Sequence, residues 1–124
     1  MTEASAPSVS CVIPVWNGEA YLAAALDSIV AQSRPPHEII VVDDGSTDGS
    51  AAAAERHAGR VRVVRQPHRG IAAARNCGIA QAGGDWIALL DADDLWSETK
   101  LARQIEAIAA RPGAGCCFTL IETF

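Results

Sequence analysis

Apolar positions along this chain fall into short runs separated by polar, glycine-rich punctuation, and the runs alternate between two periodicities. Residues 9–15 form an almost unbroken stretch rich in Val and Ile, the pattern of a strand buried on both faces. It runs into Pro14-Val15-Trp16-Asn17-Gly18, a loop that leads to a helix start. Leu22, Ala25, Leu26, Ile29 and Val30 then repeat at i, i+3, i+4, i+7 and i+8, which predicts a helix with one apolar face. Ser33-Arg34-Pro35-Pro36 stops it, because proline lacks the amide hydrogen that the helix ladder needs. A second strand is predicted over 38–42, running into 43–50, a segment too rich in Asp, Gly and Ser for anything but a loop. An alanine-rich helix to about residue 58, a strand over 60–65, a helix over 70–82 and a strand over 85–90 follow. Ser97 is placed to cap a last helix carrying Leu101, Ile105, Ile108 and Ala109 on one face, ended by Arg111-Pro112-Gly113. Residues 115–121 predict a fifth strand.

Strands alternating with helices specify an α/β fold, a mostly parallel sheet with helices on both faces. Ligands of such sheets bind beyond the carboxyl ends of the strands, where the strand order reverses. The loops at 14–18, 43–50 and 91–94 all follow such ends, so they converge on one edge of the sheet.

With 124 residues, 49% of them hydrophobic, the chain forms one domain with an ample core. Residues 1–8 are small and polar, a disordered tail without the basic start of a signal peptide, and no 18 apolar residues run together. That pattern gives a cytoplasmic expectation, with attachment to the inner face of a membrane left open. A net charge of −5, with Lys and Arg scattered, argues against a nucleic-acid surface. The four cysteines include no C-x-x-C pair and are expected to be small, reduced core residues. His37 and His57 read as surface residues.

Asp91-Ala92-Asp93-Asp94 packs three carboxylates into four residues as a buried strand surfaces. On an extended backbone Asp91 and Asp93 would share a face, and such a cluster can hold Mg²⁺ or Mn²⁺ beside water and substrate phosphates. The competing reading is a solvated turn with an Asp cap.

Taken in order, Cys11-Val-Ile-Pro-Val-Trp-Asn17, Ile40-Val-Val-Asp-Asp-Gly-Ser46, Gly70-Ile-Ala-Ala-Ala-Arg-Asn-Cys-Gly78 and Leu90-Asp-Ala-Asp-Asp94 resemble the nucleotide-sugar half of family 2 inverting glycosyltransferases with the GT-A fold. The resemblance runs from residue 9 to 124 and implies a Rossmann-like nucleotide-binding half. It further implies transfer of a sugar from a nucleotide-diphosphate donor, a UDP-sugar first, to an acceptor hydroxyl, with inversion and with Mn²⁺ or Mg²⁺. Under it, Pro14, Val15, Trp16 and Asn17 line the base pocket, with half-buried packing as the other reading of Trp16 and helix capping that of Asn17. Asp44 is implied to accept a hydrogen bond from the base, while Asp43 braces the loop or trades roles with it. Arg75 either bridges to the donor phosphates or pins the acidic loops. The metal falls to Asp93 or Asp94, and Asp91 supports the cluster or meets the ribose. Trp96 is expected in the wall facing the sugar, and His68 and Arg69 are rim candidates.

The same family draws its catalytic base from a later, acceptor-binding half, so no catalytic base is expected within these residues and 9–124 reads as a donor-binding half-domain. The acceptor, donor sugar and linkage are not written in these residues. The uncovered run at 115–121 adds an expectation of self-association through a C-terminal strand. A binding-only module for a nucleotide or nucleotide sugar is the alternative. A haloacid-dehalogenase-like phosphatase fits less well, since its D-x-D opens a domain and this one comes late. An EF-hand fails because Trp96 stands where the turn glycine belongs.

Overall fold

The computed structural model describes residues 7–57 and 59–119. Strands β1 (Val9–Val15), β2 (Glu38–Asp43), β3 (Arg62–Arg65) and β4 (Trp86–Leu89) form one sheet in the order β3-β2-β1-β4. All three pairings are parallel, with Val12 opposite both Ile40 and Leu89. The helices are α1 (Glu19–Val30), α2 (Ser50–Glu55), α3 (Ile71–Gln81) and α4 (Lys100–Ala110). The α/β architecture expected from the alternating pattern is the one observed.

Central strand β1 is buried at every residue, which is why it reads as a continuous apolar run and not as an alternation. On one face Cys11, Ile13, Ile39 and Val41 meet Leu22, Leu26 and Ile29 of α1, Ala53 and Ala54 of α2, and Leu101 and Ile105 of α4. Each large side chain buried in this way contributes about 1.5–3 kcal/mol. The opposite face is thinner, with Ile40 and Val42 packed against Ala74 and Cys77 of α3. Helix α3 comes close because it carries Gly78, where an added Cβ would stand 2.3 Å from Val12 Cγ1.

Several boundaries differ from the sequence expectation for identifiable reasons. Helix α2 stops at Glu55, the His57 amide turning back to Ala54 O, and Gly59 at φ +91° carries the chain to a strand that starts only at Arg62. Ser97 does not cap the last helix. Thr99 holds that position without a side-chain bond, and the buried Gln32 accepts from the Leu101 amide at 3.0 Å while donating to Ser97 O at 2.6 Å. The fifth strand is absent over 115–119, and residues 120–121 lie outside the described residues. A strand needs a ladder, and the contact made here is a 3.5 Å bond from Gln104 Nε2 to Cys117 O. Of the expected tail, residues 1–6 lie outside the described residues, whereas Ser8 belongs to the fold: its carbonyl accepts from Trp86 N at 3.0 Å. Cys11 is buried and its thiol pushed up to about 12 by that burial, but Cys116 is exposed and so departs from the core expectation. No helix among the described residues is long and apolar enough to cross a membrane.

Candidate functional site

Strand order sets the location. The chain steps outward from β1 to β2 and β3, then returns to add β4 on the other side, so the reversal lies at the carboxyl end of β1. The ladder continues past the strands through Asp44 N to Val15 O (2.9 Å), Gln66 N to Asp43 O (3.0 Å) and Leu90 N to Val12 O (3.1 Å). Those bonds fix where each following loop begins. Between the loops lies a cleft of about 480 Å³ lined by Pro14, Val15, Trp16, Asn17, Asp44 and His68 on one side, with Asp91 and Asp93 at the other.

The first two loops are tied together. Asn17 adopts φ 50°, a left-handed conformation that Asn tolerates better than most residues, and its Oδ1 accepts from Thr47 N at 2.8 Å. Its own amide donates to Ser46 Oγ at 2.9 Å. Asn17 therefore bridges loops and does not cap α1, where Gly18 holds the cap position. Helix ends are served reciprocally: Glu19 N donates to Asp48 Oδ2 at 3.2 Å, and Gly49 N donates to Glu19 Oε2 at 3.0 Å. Glu19 of α1 and Asp48, just before α2, thus each lend a carboxylate to an amide at the start of the other helix.

Asp44 is buried, and its carboxylate accepts three hydrogen bonds from the protein. Gln66 Nε2 and Arg69 N donate to Oδ1, each at 2.8 Å, and Gly70 N donates to Oδ2 at 2.9 Å. His68 Nδ1 is hydrogen-bonded to the Asp44 backbone carbonyl oxygen at 3.1 Å and lies 2.9 Å from Oδ2. Burial by itself opposes ionisation, but the donors Gln66, Arg69, Gly70 and His68 outweigh it and hold the carboxyl below its ordinary range. Gly45, at φ +75°, lets this loop pass against the next, since a Cβ there would stand 2.7 Å from His68 N. Asp43, expected to brace the loop or trade roles with Asp44, is buried outside the cleft lining and accepts from Ser46 N at 3.1 Å with Arg65 Nε 3.8 Å away.

The acidic segment is not extended. Asp94 N donates to Asp91 O at 3.0 Å, closing a turn, so Asp91 and Asp93 are not placed by strand alternation. The turn propensity of Asp overrides the strand as soon as the ladder ends. Asp91 Oδ1 receives Arg75 Nη2 at 2.9 Å, and Arg75 Nε is buried without a hydrogen-bond partner. Arg75 itself lies outside the cleft lining, as does Asp94, while Asp93 lines it. Desolvation, with the neighbouring charges of Asp93 and Asp91 adding to it, raises the Asp94 carboxyl above its ordinary value. No group of three or more His, Cys, Asp or Glu side chains converges as a ready metal cage among the described residues.

Two aromatic residues take unexpected places. His68, expected only at the rim, lies in the cleft and stacks on Trp16 with ring centroids 4.6 Å apart at 27°. Trp96 is not in the wall at all: it is buried in the main core, with Lys100 Nζ 4.8 Å over its ring. Tyr21 and Ile71, both exposed and both lining the cleft, carried no motif that would have singled them out.

The all-parallel sheet and its helices define an α/β domain of the GT-A type. Residues 10–124 match the family model for glycosyl transferase family 2, and the chain belongs to that family. An uncharacterized glycosyltransferase of Haemophilus influenzae is 40% identical over 103 residues, which is 80% of this chain and 41% of the relative. The structure of S. aureus TarS 1–349 in complex with UDP superposes with a TM-score of 0.80 at 27% identity, covering 85% of this chain and 33% of that one. The mannosyltransferase PcManGT from Pyrobaculum calidifontis, in complex with GDP-Man and Mn²⁺, gives 0.77 at 32% identity over 85% of this chain and 33% of its own. The chain spans less than half the length of the first curated relatives it matches.

Proposed function

We propose that this cleft binds the donor of a glycosyl transfer, a nucleotide-diphosphate sugar with UDP as the favoured nucleotide, and that the transfer inverts the anomeric carbon with help from a divalent metal. One observation carries the reading: Trp16, Asp44 and Asp93 line a single cleft at the point where the strand order reverses. Trp16 offers a planar face to a base, and Asp44 an acceptor suited to the imide N–H of uracil. Arg75 holds Asp91 at the ribose corner by a charge-assisted bond. UDP bound to TarS and GDP-Man bound to PcManGT support the same class of donor.

The residues fit a hard cation of the Mg²⁺ or Mn²⁺ type held by few protein ligands. Asp93 lines the cleft and Asp94 follows it directly, the pair offering the carboxylate oxygens that such an ion takes beside water and substrate phosphates. Such an ion, when bound, supplies Lewis-acid stabilisation of the departing diphosphate. Asp91 is engaged by Arg75 and the Asp44 carboxylate by three donors, so neither is assigned as the base that activates the acceptor. The same engagement favours, as a second reading, binding without transfer by these residues alone.

Calorimetry with UDP, with and without Mn²⁺, tests the site. The expected result is Mn²⁺-dependent binding that is weakened at least tenfold in Asp93→Asn or in Asp94→Asn. Unchanged affinity in both variants overturns the metal assignment, and a donor-hydrolysis assay separates transfer from binding alone.

A further inference from the structure

The position of His68 has a chemistry of its own. A nucleobase in this cleft would need a flat face against Trp16 and an N–H directed at Asp44. The imidazole of His68 already meets both needs, lying on Trp16 at 4.6 Å and placing Nδ1 2.9 Å from Asp44 Oδ2. A carboxylate offers about four acceptor sites. Gln66 Nε2, Arg69 N and Gly70 N take three of them, and His68 Nδ1, shared with the Asp44 carbonyl oxygen at 3.1 Å, stands at the fourth. Two of these donors, Arg69 N and Gly70 N, are backbone amides of the loop that starts α3, and Gln66 donates from a partly buried side chain. The fourth, His68, has 53% of its side chain open to solvent.

We infer that His68 is a built-in stand-in for the base, seated on Trp16 and Asp44 and displaced from both when a nucleotide binds. The inference rests on the nucleotide reading above and adds to it a competition between the protein's own ring and the ligand's. A base entering the cleft exchanges one N–H donor on Asp44 for another and one aromatic stack for another, so its net gain is smaller than its contacts suggest. Selectivity follows from the same exchange. A base that brings both a planar face and an N–H beside carbonyl groups, as uracil and guanine do, replaces everything His68 gives up. A base with only an acceptor at that edge leaves Asp44 one bond short.

Removing the competitor is therefore expected to strengthen binding. In His68→Ala, with the fold checked by circular dichroism, affinity for UDP rises about fivefold, the factor that one net hydrogen bond represents. In the unaltered protein, the imidazole proton resonances of His68 move away from their Trp16-shielded positions as UDP saturates the site. Equal or weaker UDP binding by His68→Ala, or His68 resonances that stay in place at saturation, overturns the displacement and leaves the nucleotide reading standing. If neither protein binds UDP or GDP, the nucleotide reading fails and the displacement with it. The resonance measurement decides the matter even where the alanine variant does not fold.

Discussion

Arg75 donates from Nη2 to Asp91 Oδ1 at 2.9 Å, and this bond fastens α3 to the turn that follows β4. Neither side chain is fully buried, so the pair's weight lies in positioning more than in stability. Arg75 was open to two readings in the sequence, phosphate bridge or brace, and the structure gives it a contact with Asp91 of the acidic loop.

For Arg75→Ala the expected loss of stability is therefore small, about 1 kcal/mol by urea denaturation. UDP affinity is expected to fall at least tenfold, and Asp91→Asn to reproduce the fall. A double variant no worse than either single one would show that the two act as a unit. Full additivity would count against it.

Gly78→Ala addresses the fold and not the site. The new methyl would stand 2.3 Å from Val12 Cγ1 and 3.2 Å from Val42 Cγ2, so α3 must lift from the sheet. Overpacking of this kind costs about 1–3 kcal/mol. A shift of the denaturation midpoint measures it, and an unshifted midpoint refutes the close approach.

Gly45→Ala is expected to act on the cleft first. Both its positive φ and the 2.7 Å approach to His68 N oppose a side chain, and relief requires the loop after β3 to retreat from Asp44. UDP binding should fall further than in any variant of equal stability that lies away from the cleft, as calorimetry on matched variants would reveal.

Acid should weaken the fold through Glu38. Its carboxylate accepts from Ser10 Oγ at 2.6 Å and from Gly83 N, and these bonds, led by Ser10, hold its pKa below the ordinary value. A lowered folded-state pKa means that the unfolded chain binds more protons in the window between the two values, so stability rises with pH there. The contribution is fully present above about pH 4.3, the unfolded glutamate value, and is lost as pH falls through the folded one. Glu38→Gln should flatten the acid limb of stability against pH. An unaltered limb would place the acid sensitivity elsewhere, with Asp44 the next carboxylate to test because its pKa is also lowered.

Much of this arrangement was legible in the residue pattern, and the exceptions share a cause. The Val- and Ile-rich runs at 9–15 and 38–42, and the regular spacing of Leu22, Leu26 and Ile29, report burial directly, so those elements follow from the sequence. What did not follow depends on a second segment. The strand expected at 115–121 lacked a ladder partner over its described part. Asn17 exchanged a capping role for Ser46 and Thr47, which lie 29 and 30 residues away. Trp96 is a core residue because α4 folds back with Lys100 across it. The site showed the same division: Trp16, Asp44 and Asp93 were marked by their motifs, while His68 became informative only once its loop lay against Asp44.

The bonds that cross between Asn17, Gly18 and Glu19 on one loop and Ser46, Thr47, Asp48, Gly49 and Ser50 on the other have a practical corollary. Transplanting only the first loop from a relative, to change which base is accepted, would strand the partners left behind on the second. Swapping both segments together keeps every donor matched to its acceptor, so the two loops form the smallest unit that protein engineering can exchange here.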